Sequence, residues 1–287
     1  MQTQDPYSLD DSKVLDPPTS LKGTIKHLGP GFILSASIVG SGELVATTQL
    51  GAGAGFVAMW VILVSCLVKV AVQLEFGKRA IMTGETTFAS FNTLPGKVGK
   101  AHWSIWTWLA LMMVKFLQVG GIVGLVAVLL NMAIPGIPVL WWLILVVIAV
   151  ASIVISGYYR VLELMSVTMI GIFTIFTFFS LVALQYTDSA IGLGDVLSGL
   201  QFKMPQGDGM TLLVIGAFGI TGVGGDEIMA YNYWLIEKGY AANTGKNNGT
   251  DDWNRRAKGW IRVMYIDAIF AMAVYTIVTV AFFLLGC

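Results

Sequence analysis

Two short segments of this sequence place glycines directly before carboxylates, and the two segments resemble each other. Residues 39–46 read VGSGELVA and residues 223–230 read VGGDEIMA. With an offset of 184 residues, four of the eight positions are identical, and Glu43 aligns with Glu227. Carboxylate oxygens and the carbonyl oxygens of an unwound backbone are suitable ligands for hard divalent cations. The pattern therefore indicates a cation site built from two segments that are distant in sequence.

Both segments lie inside long apolar runs, where glycines and charges are unfavourable. Consecutive glycines weaken a helix by about 1 kcal/mol each relative to alanine. A carboxylate at bilayer depth costs ~2.5 kcal/mol or more unless it is paired or hydrated. Together these features predict a broken membrane helix, whose unwound carbonyls and carboxylates coordinate a cation. The structural alternative is that each glutamate pairs with a buried lysine, for which Lys69 and Lys115 are available.

The composition restricts the class of protein. Of the 287 residues, 56% are hydrophobic and 12% are charged, and the mean hydropathy is +0.76, whereas soluble domains carry about a quarter charged residues. The 17 basic and 17 acidic side chains balance, so no general attraction to nucleic acid is expected. Cys66 and Cys287 lie in apolar runs and suggest neither a disulfide framework nor a zinc site. These observations predict a multi-pass integral membrane protein surrounded by the lipid bilayer.

A transmembrane helix needs about 20 mostly apolar residues, and seven segments of the chain satisfy this requirement. The predicted spans are residues 31–50, 56–76, 103–130, 139–156, 161–186, 210–236 and 260–285. The predicted fold class is therefore an all-α polytopic membrane protein. Five spans separate the start of the first glycine–acid segment from the start of the second. Because five is odd, the two copies enter the membrane from opposite sides, which is typical of an inverted repeat.

The same spans define the predicted domain organisation. We expect a cytoplasmic amino-terminal tail at 1–27, a first repeat of helices 1–5 at 28–187, an external loop at 188–209, and a partial second repeat of helices 6 and 7 at 210–287. With the amino terminus in the cytoplasm, 14 of the 17 basic residues fall on the inner side and only Lys203 falls in an outer loop. This asymmetry obeys the positive-inside rule and favours a cytoplasmic amino terminus. We expect the protein to lie in the plasma (cytoplasmic) membrane.

The residues around the first segment resemble the Nramp family of divalent metal transporters. Residues 28–32 (LGPGF), the glycine–acid break and residues 46–52 (ATTQLGA) look like the first helix of that family, and the similarity continues weakly to residues 83–84. The resemblance implies a LeuT-like arrangement of two inverted five-helix repeats. That arrangement has at least ten spans. Three alternatives remain open: missing carboxyl-terminal helices complete the fold, which we favour; a partner completes it; or seven spans are final and the resemblance is partial.

This sequence departs from the family at the residues that hold the metal. Nramp proteins typically carry Asp-Pro-Gly-Asn at the break in helix 1, where this chain reads GSGE at residues 40–43. In helix 6 the family has Met-Pro-His, and the aligned residues here are Gly224, Gly225 and Asp226. Oxygen ligands without sulfur suit magnesium, calcium and manganese. The departure resembles the Nramp-related magnesium transporters and favours magnesium or manganese as the substrate.

The predicted site combines side-chain and backbone oxygens from the two breaks. The residues assigned to it are Glu43, Glu227, Asp226, Gly40, Ser41, Gly42, Gly224 and Gly225. Glu43 supplies charge from the first break, and Glu227 is favoured over Asp226 because it matches Glu43 in the repeat. The hydroxyl of Ser41 and the carbonyls around Gly40 and Gly224 complete the shell. We expect the divalent cation to be the substrate of a secondary transporter that works by alternating access, and we expect no cofactor and no enzymatic activity.

Three other functions remain open at this stage. A sodium-coupled transporter of organic solutes with the same architecture would usually have neutral residues at the breaks. A non-transporting, receptor-like seven-span protein offers no evident use for matched glycine–acid breaks. A membrane enzyme is disfavoured because the sequence has no nucleophile–base constellation and no histidines at metal-ligand spacing.

Overall fold

The structure is a computed structural model that describes residues 7, 9, 11–155 and 159–287, and it is mainly α-helical. In chain order the helices are α1 (Leu21–His27), α2 (Pro30–Ile38), α3 (Ser41–Ala54), α4 (Met59–Thr83), α5 (Thr87–Asn92), α6 (Trp103–Ala133), α7 (Val139–Ile155), α8 (Tyr159–Leu184), α9 (Leu193–Ser198), α10 (Met210–Ile220), α11 (Gly225–Glu237), α12 (Tyr240–Thr244) and α13 (Asp251–Gly286). Short strands β1 (Lys97–Val98) and β2 (Ala101–His102) form an antiparallel pair between α5 and α6.

Long apolar helices confirm the prediction of an all-α polytopic membrane protein. In the described part of the chain, the helical stretches long and apolar enough to cross a membrane are Glu43–Thr83, Trp103–Ala133, Met210–Glu237 and Asp251–Gly286, and the shorter apolar helices are Val139–Ile153 and Gly171–Leu184. Each of the seven predicted segments coincides with a helix or a broken helix. The last segment begins earlier than the predicted residue 260, because the Thr250 hydroxyl caps α13 by accepting a 3.2 Å hydrogen bond from the Trp253 N–H.

The first and sixth predicted spans are both interrupted, as the sequence predicts. In the first, α2 ends at Ile38 and α3 begins at Ser41, with Gly40 in an extended conformation. In the sixth, α10 ends at Ile220 and α11 begins at Gly225. The unwound residues are 39–40 and 221–224, so each break lies slightly earlier than expected. The helix resumes immediately after the glycine, because an acidic residue in the first turn stabilises a helix amino terminus.

The chain forms two compact units, of which the larger contains both breaks. This unit comprises Met1–Thr87 and Ile170–Cys287, and α13 packs against α2, α3 and α4 at its centre. Fully buried aromatic side chains on α13, among them Trp260, Tyr275 and Phe282, form much of its core. The closest helix contact joins α3 to the end of α13. There a Cβ added at Gly51 would overlap the Phe283 carbonyl oxygen.

The smaller unit comprises Phe88–Met169. Within it α6 packs against α7, and the Trp106 indole N–H donates a 2.9 Å hydrogen bond to the Val98 carbonyl, which joins α6 to β1. Lys115 lies on α6 of this unit.

The segments predicted as tail and loop contain local structure of their own. Near the amino terminus, the Leu15 N–H donates to the Asn243 carbonyl at 3.0 Å, and the Leu15 carbonyl accepts from the Trp260 indole at 2.9 Å. In the predicted loop, α9 is a short helix, and the Gly199 carbonyl after it accepts a 3.0 Å hydrogen bond from the Trp60 N–H. The described residues of both segments therefore pack within the larger unit.

Candidate functional site

The two carboxylates matched in the sequence repeat occupy the same position of equivalent helices. Gly40 is the N-cap of α3 and Gly224 is the N-cap of α11. Glu43 and Glu227 are each the third residue of the following helix. The offset of 184 residues therefore aligns the two helix starts residue for residue. A helix amino terminus carries partial positive charge, which stabilises an adjacent carboxylate.

The Glu43 carboxylate crosses from the first break to the second. Its side chain is only 2% exposed, and Oε1 accepts a 2.6 Å hydrogen bond from the Gly222 N–H. Oε2 is buried and has no hydrogen-bond partner among the described residues. The Thr279 hydroxyl lies near this carboxylate. An unsatisfied buried carboxylate oxygen is costly, so it is suited to binding a cation or water.

The Glu227 carboxylate makes the reciprocal connection. Oε2 accepts a 2.6 Å hydrogen bond from the Gly224 N–H at its own helix start. Oε1 accepts a 3.2 Å hydrogen bond from the Ser37 hydroxyl, in the last turn of α2. Each glutamate therefore reaches the other broken helix. The amides of residues 222 and 224 hold both carboxylates on one short unwound segment.

Asp226 lies close to the same backbone. A Cβ built on Gly224 would lie 3.1 Å from Asp226 Oδ1 and 3.2 Å from Glu227 Oε2. Although successive helical residues point about 100° apart, both side chains fold back over the N-cap. The structure thus places two acidic side chains beside Gly224, where the sequence interpretation favoured one. Gly225 is exposed, and a Cβ added there would meet no atom within 4 Å.

The backbone carbonyls of the predicted site take part in the helix starts. The Gly40 carbonyl accepts from the Leu44 N–H at 3.1 Å, and the Gly224 carbonyl accepts from the Ile228 N–H at 2.9 Å. Each oxygen retains a second lone pair that a cation can use. Gly42 is the second residue of α3. The side chain of Ser41 lies outside the part of the chain that the structure describes.

Lys69 does not pair with Glu43 in the described structure, contrary to the structural alternative. Its ammonium instead donates to the Gly219 carbonyl at 2.8 Å and to the Thr221 carbonyl at 2.6 Å. The Ser65 hydroxyl, one turn earlier on α4, shares its proton between the Phe218 and Thr221 carbonyls at 2.7 and 2.9 Å. Two side chains of α4 therefore bind the carboxyl end of α10.

A second buried carboxylate, Asp267, is absent from the sequence interpretation. It lies on α13 and is 1% exposed. Oδ1 accepts from the Gly29 N–H at 3.0 Å, and Oδ2 accepts from the Gly31 N–H at 2.6 Å and from the Tyr231 hydroxyl at 3.3 Å. Asp267 thereby caps the amino end of α2. The sequence feature that could have identified Asp267 is that it is an acidic residue within the last apolar segment.

The candidate site is not a cage of side chains. Within the described ranges, no group of three or more His, Cys, Asp or Glu side chains is placed to hold a metal. Carboxylates from two helices and backbone carbonyl oxygens are ligand types that hard divalent cations use.

These features define a polytopic membrane protein with two broken helices whose glycine–acid starts face each other. The sequence model of the family described as "Natural resistance-associated macrophage protein-like", or Nramp, matches residues 31–286. The chain belongs to the Nramp family, as its first helix predicted.

A divalent metal cation transporter also resembles part of the chain. The divalent metal cation transporter MntH of Clostridium acetobutylicum is 32% identical over 89 residues. That alignment covers 30% of this chain and 20% of the MntH protein.

Proposed function

We propose that this protein transports divalent metal cations across a membrane, with magnesium or manganese as the cargo. The observation that carries the proposal is the pair of carboxylates, Glu43 and Glu227, fixed at 2.6 Å to the amides of Gly222 and Gly224. Membership of the Nramp family supports it, as does the similarity to a divalent metal cation transporter.

The donor atoms at the breaks favour a hard cation. Residues 39–43 and 221–227 contain no methionine, histidine or cysteine. Ligands drawn from these segments are therefore oxygens, which suit Mg²⁺ and Mn²⁺ better than softer transition metals. In this proposal Glu43 Oε2 binds the ion or one of its waters directly. Glu227 and Asp226 add charge from the opposite helix.

One contact favours a softer cargo. The Cys66 side chain packs against the second break, because a Cβ added at Gly222 would lie 3.3 Å from Cys66 Sγ. A thiolate at that position would add a sulfur ligand and select softer ions. Inhibition by Cd²⁺ that disappears in Cys66→Ser would support this second candidate, whereas unchanged Mg²⁺ handling in Cys66→Ser supports the all-oxygen site.

The transport cycle follows from the connection between the breaks. Alternating access moves one group of helices against another around a fixed midplane site. Because Glu43 Oε1 is bound by the Gly222 amide, any movement that separates the two breaks must break this hydrogen bond. A bound cation compensates the carboxylate that is released. We place the amino terminus in the cytoplasm, in agreement with the distribution of basic residues.

Uptake into proteoliposomes tests the proposal. The purified protein is reconstituted with an indicator for Mg²⁺ or Mn²⁺ trapped inside, and each ion is added outside. The proposal predicts uptake by the wild type, its loss in Glu43→Gln, and its retention in Glu85→Gln, a control acid that pairs with Arg79 at 3.1 Å. Uptake that survives Glu43→Gln, or no uptake by correctly folded protein, contradicts it.

A further inference from the structure

The ammonium of Lys69 lies at the carboxyl end of α10, at the start of the second break. It contacts the Gly219 and Thr221 carbonyl oxygens at 2.8 and 2.6 Å and lies 5.9 Å from the centre of the Phe218 ring. A lysine inside an apolar helix is expected to find an acid. This one binds carbonyl oxygens and, among the described residues, forms no ion pair.

A positive charge stabilises the carbonyls at the carboxyl end of α10. The last carbonyls of a helix have no partners within it and carry the negative end of the helix dipole. Here that end faces a break that also holds Glu43 and Glu227, both within electrostatic range of Lys69. Carbonyl oxygens with a hydroxyl such as that of Ser65 are the donor set that binds a dehydrated monovalent cation in membrane proteins.

We propose that the Gly219 and Thr221 carbonyls, with the Ser65 hydroxyl, form a monovalent-cation site that the Lys69 ammonium fills from within the chain. The lysine thus occupies the second break from within the chain, and the broken helix needs no bound alkali ion there. The consequence of this site for transport rests on the proposed function. If the lysine fills the site, movement of the divalent cation does not require sodium or potassium at this position.

Removal of the ammonium should expose the site to free cations. Lys69→Ala is purified in sodium, potassium or choline chloride at equal concentration, and its thermal unfolding is compared with that of the wild type and Lys69→Arg. We expect the Tm of Lys69→Ala to be lowest in choline, an ion too large for the site. At an alkali-ion concentration of roughly ten times the dissociation constant, the Tm should recover by roughly 4 °C in a protein of this size.

The controls separate this site from the divalent site. Wild type and Lys69→Arg should unfold at the same temperature in all three salts, and Ser65→Ala combined with Lys69→Ala should weaken the recovery. Glu43→Gln should leave the salt response of Lys69→Ala in place, so a failure of the proposed transport function does not remove this readout.

A Lys69→Ala protein that unfolds at the same temperature in all three salts overturns the proposal. If Lys69→Ala yields folded protein only in sodium or potassium, the proposal is supported. If it folds in none of the salts, Lys69→Gln replaces it, since the neutral amide can still donate to a carbonyl. The absence of any alkali-ion stabilisation in Lys69→Gln then overturns the proposal.

Discussion

The carboxylate of Glu43 accepts a 2.6 Å hydrogen bond from the backbone N–H of Gly222, which connects the break of the first span to the break of the sixth. The two residues are 179 positions apart. The Gly222 N–H can bind this side chain because residues 221–224 are unwound. The acid of one repeat and the break of the other therefore form one structural unit.

Gly222 should tolerate no side chain. Its φ is +75°, and a Cβ would lie 3.3 Å from the Cα and the Sγ of Cys66. We expect Gly222→Ala to lower the unfolding free energy by about 1–2 kcal/mol from the backbone conformation alone, with a further loss from the contact. Because the Gly222 N–H would shift, divalent cation binding should weaken as well. Thermal unfolding and calorimetry measure the two effects.

Gly209 provides a matched control for the cost of placing alanine in a positive-φ backbone conformation. It has a φ of +79° at the start of α10, but a Cβ there meets no atom within 4 Å. Gly209→Ala should therefore show only the conformational cost and leave cation binding unchanged. Equal effects of the two substitutions would contradict the role given to Gly222.

Asp267 should be more sensitive to neutralisation than any surface acid of α13. Its two oxygens accept from the Gly29 and Gly31 amides, and Asp267→Asn replaces one acceptor by an NH₂ group that faces a donor. We expect a loss of about 1–3 kcal/mol in unfolding free energy, measured by thermal unfolding in detergent.

Asp252 on the same helix serves for comparison. It pairs with Arg255 at 3.5 Å on the surface, and exposed pairs contribute about 1 kcal/mol or less. Asp252→Asn should therefore change stability much less. If Asp267→Asn proves as mild as this control, the capping of α2 by Asp267 is not an important source of stability.

The contact between α3 and α13 should depend on the absence of a side chain at Gly51. A Cβ there would overlap the Phe283 carbonyl oxygen and lie 3.1 Å from the Cys287 nitrogen. Overpacking of this kind costs about 1–3 kcal/mol, so Gly51→Ala should unfold at a lower temperature. Gly216→Ala, within α10, adds a Cβ with no neighbour inside 4 Å and should gain roughly 0.5–1 kcal/mol. A stable Gly51→Ala protein would contradict the close contact.

The broken helices could be predicted from the sequence because glycines and carboxylates are both unfavourable in a passive span. The match of Glu43 to Glu227 also followed from local spacing, since both stand three residues after a glycine N-cap. Composition and apolar length were sufficient for the all-α membrane class. These features depend on the composition of short segments and on their preference for lipid over water, and both can be judged from the sequence alone.

The partners of the charged residues could not be predicted, because they depend on contacts between distant helices. The sequence suggested Lys69 as a possible ion-pair partner of Glu43. In the structure, Glu43 accepts a hydrogen bond from the Gly222 amide, and Lys69 donates to two backbone carbonyls. The second break also begins earlier than the sequence predicted. Unwinding starts at Thr221, and nothing in the local sequence marks this threonine as the end of a helix. Asp267 was missed because its partners are backbone amides more than 230 residues away.

The most direct test of the central claim is calorimetric titration of the purified, folded protein with Mg²⁺, Mn²⁺ and Ca²⁺, beside Glu43→Gln, Glu227→Gln and the control Glu85→Gln. The two-carboxylate site predicts saturable binding of Mg²⁺ or Mn²⁺ in the wild type and the control, and its loss in both Glu43→Gln and Glu227→Gln. Binding that neither substitution changes would contradict a divalent cation site at the two helix breaks.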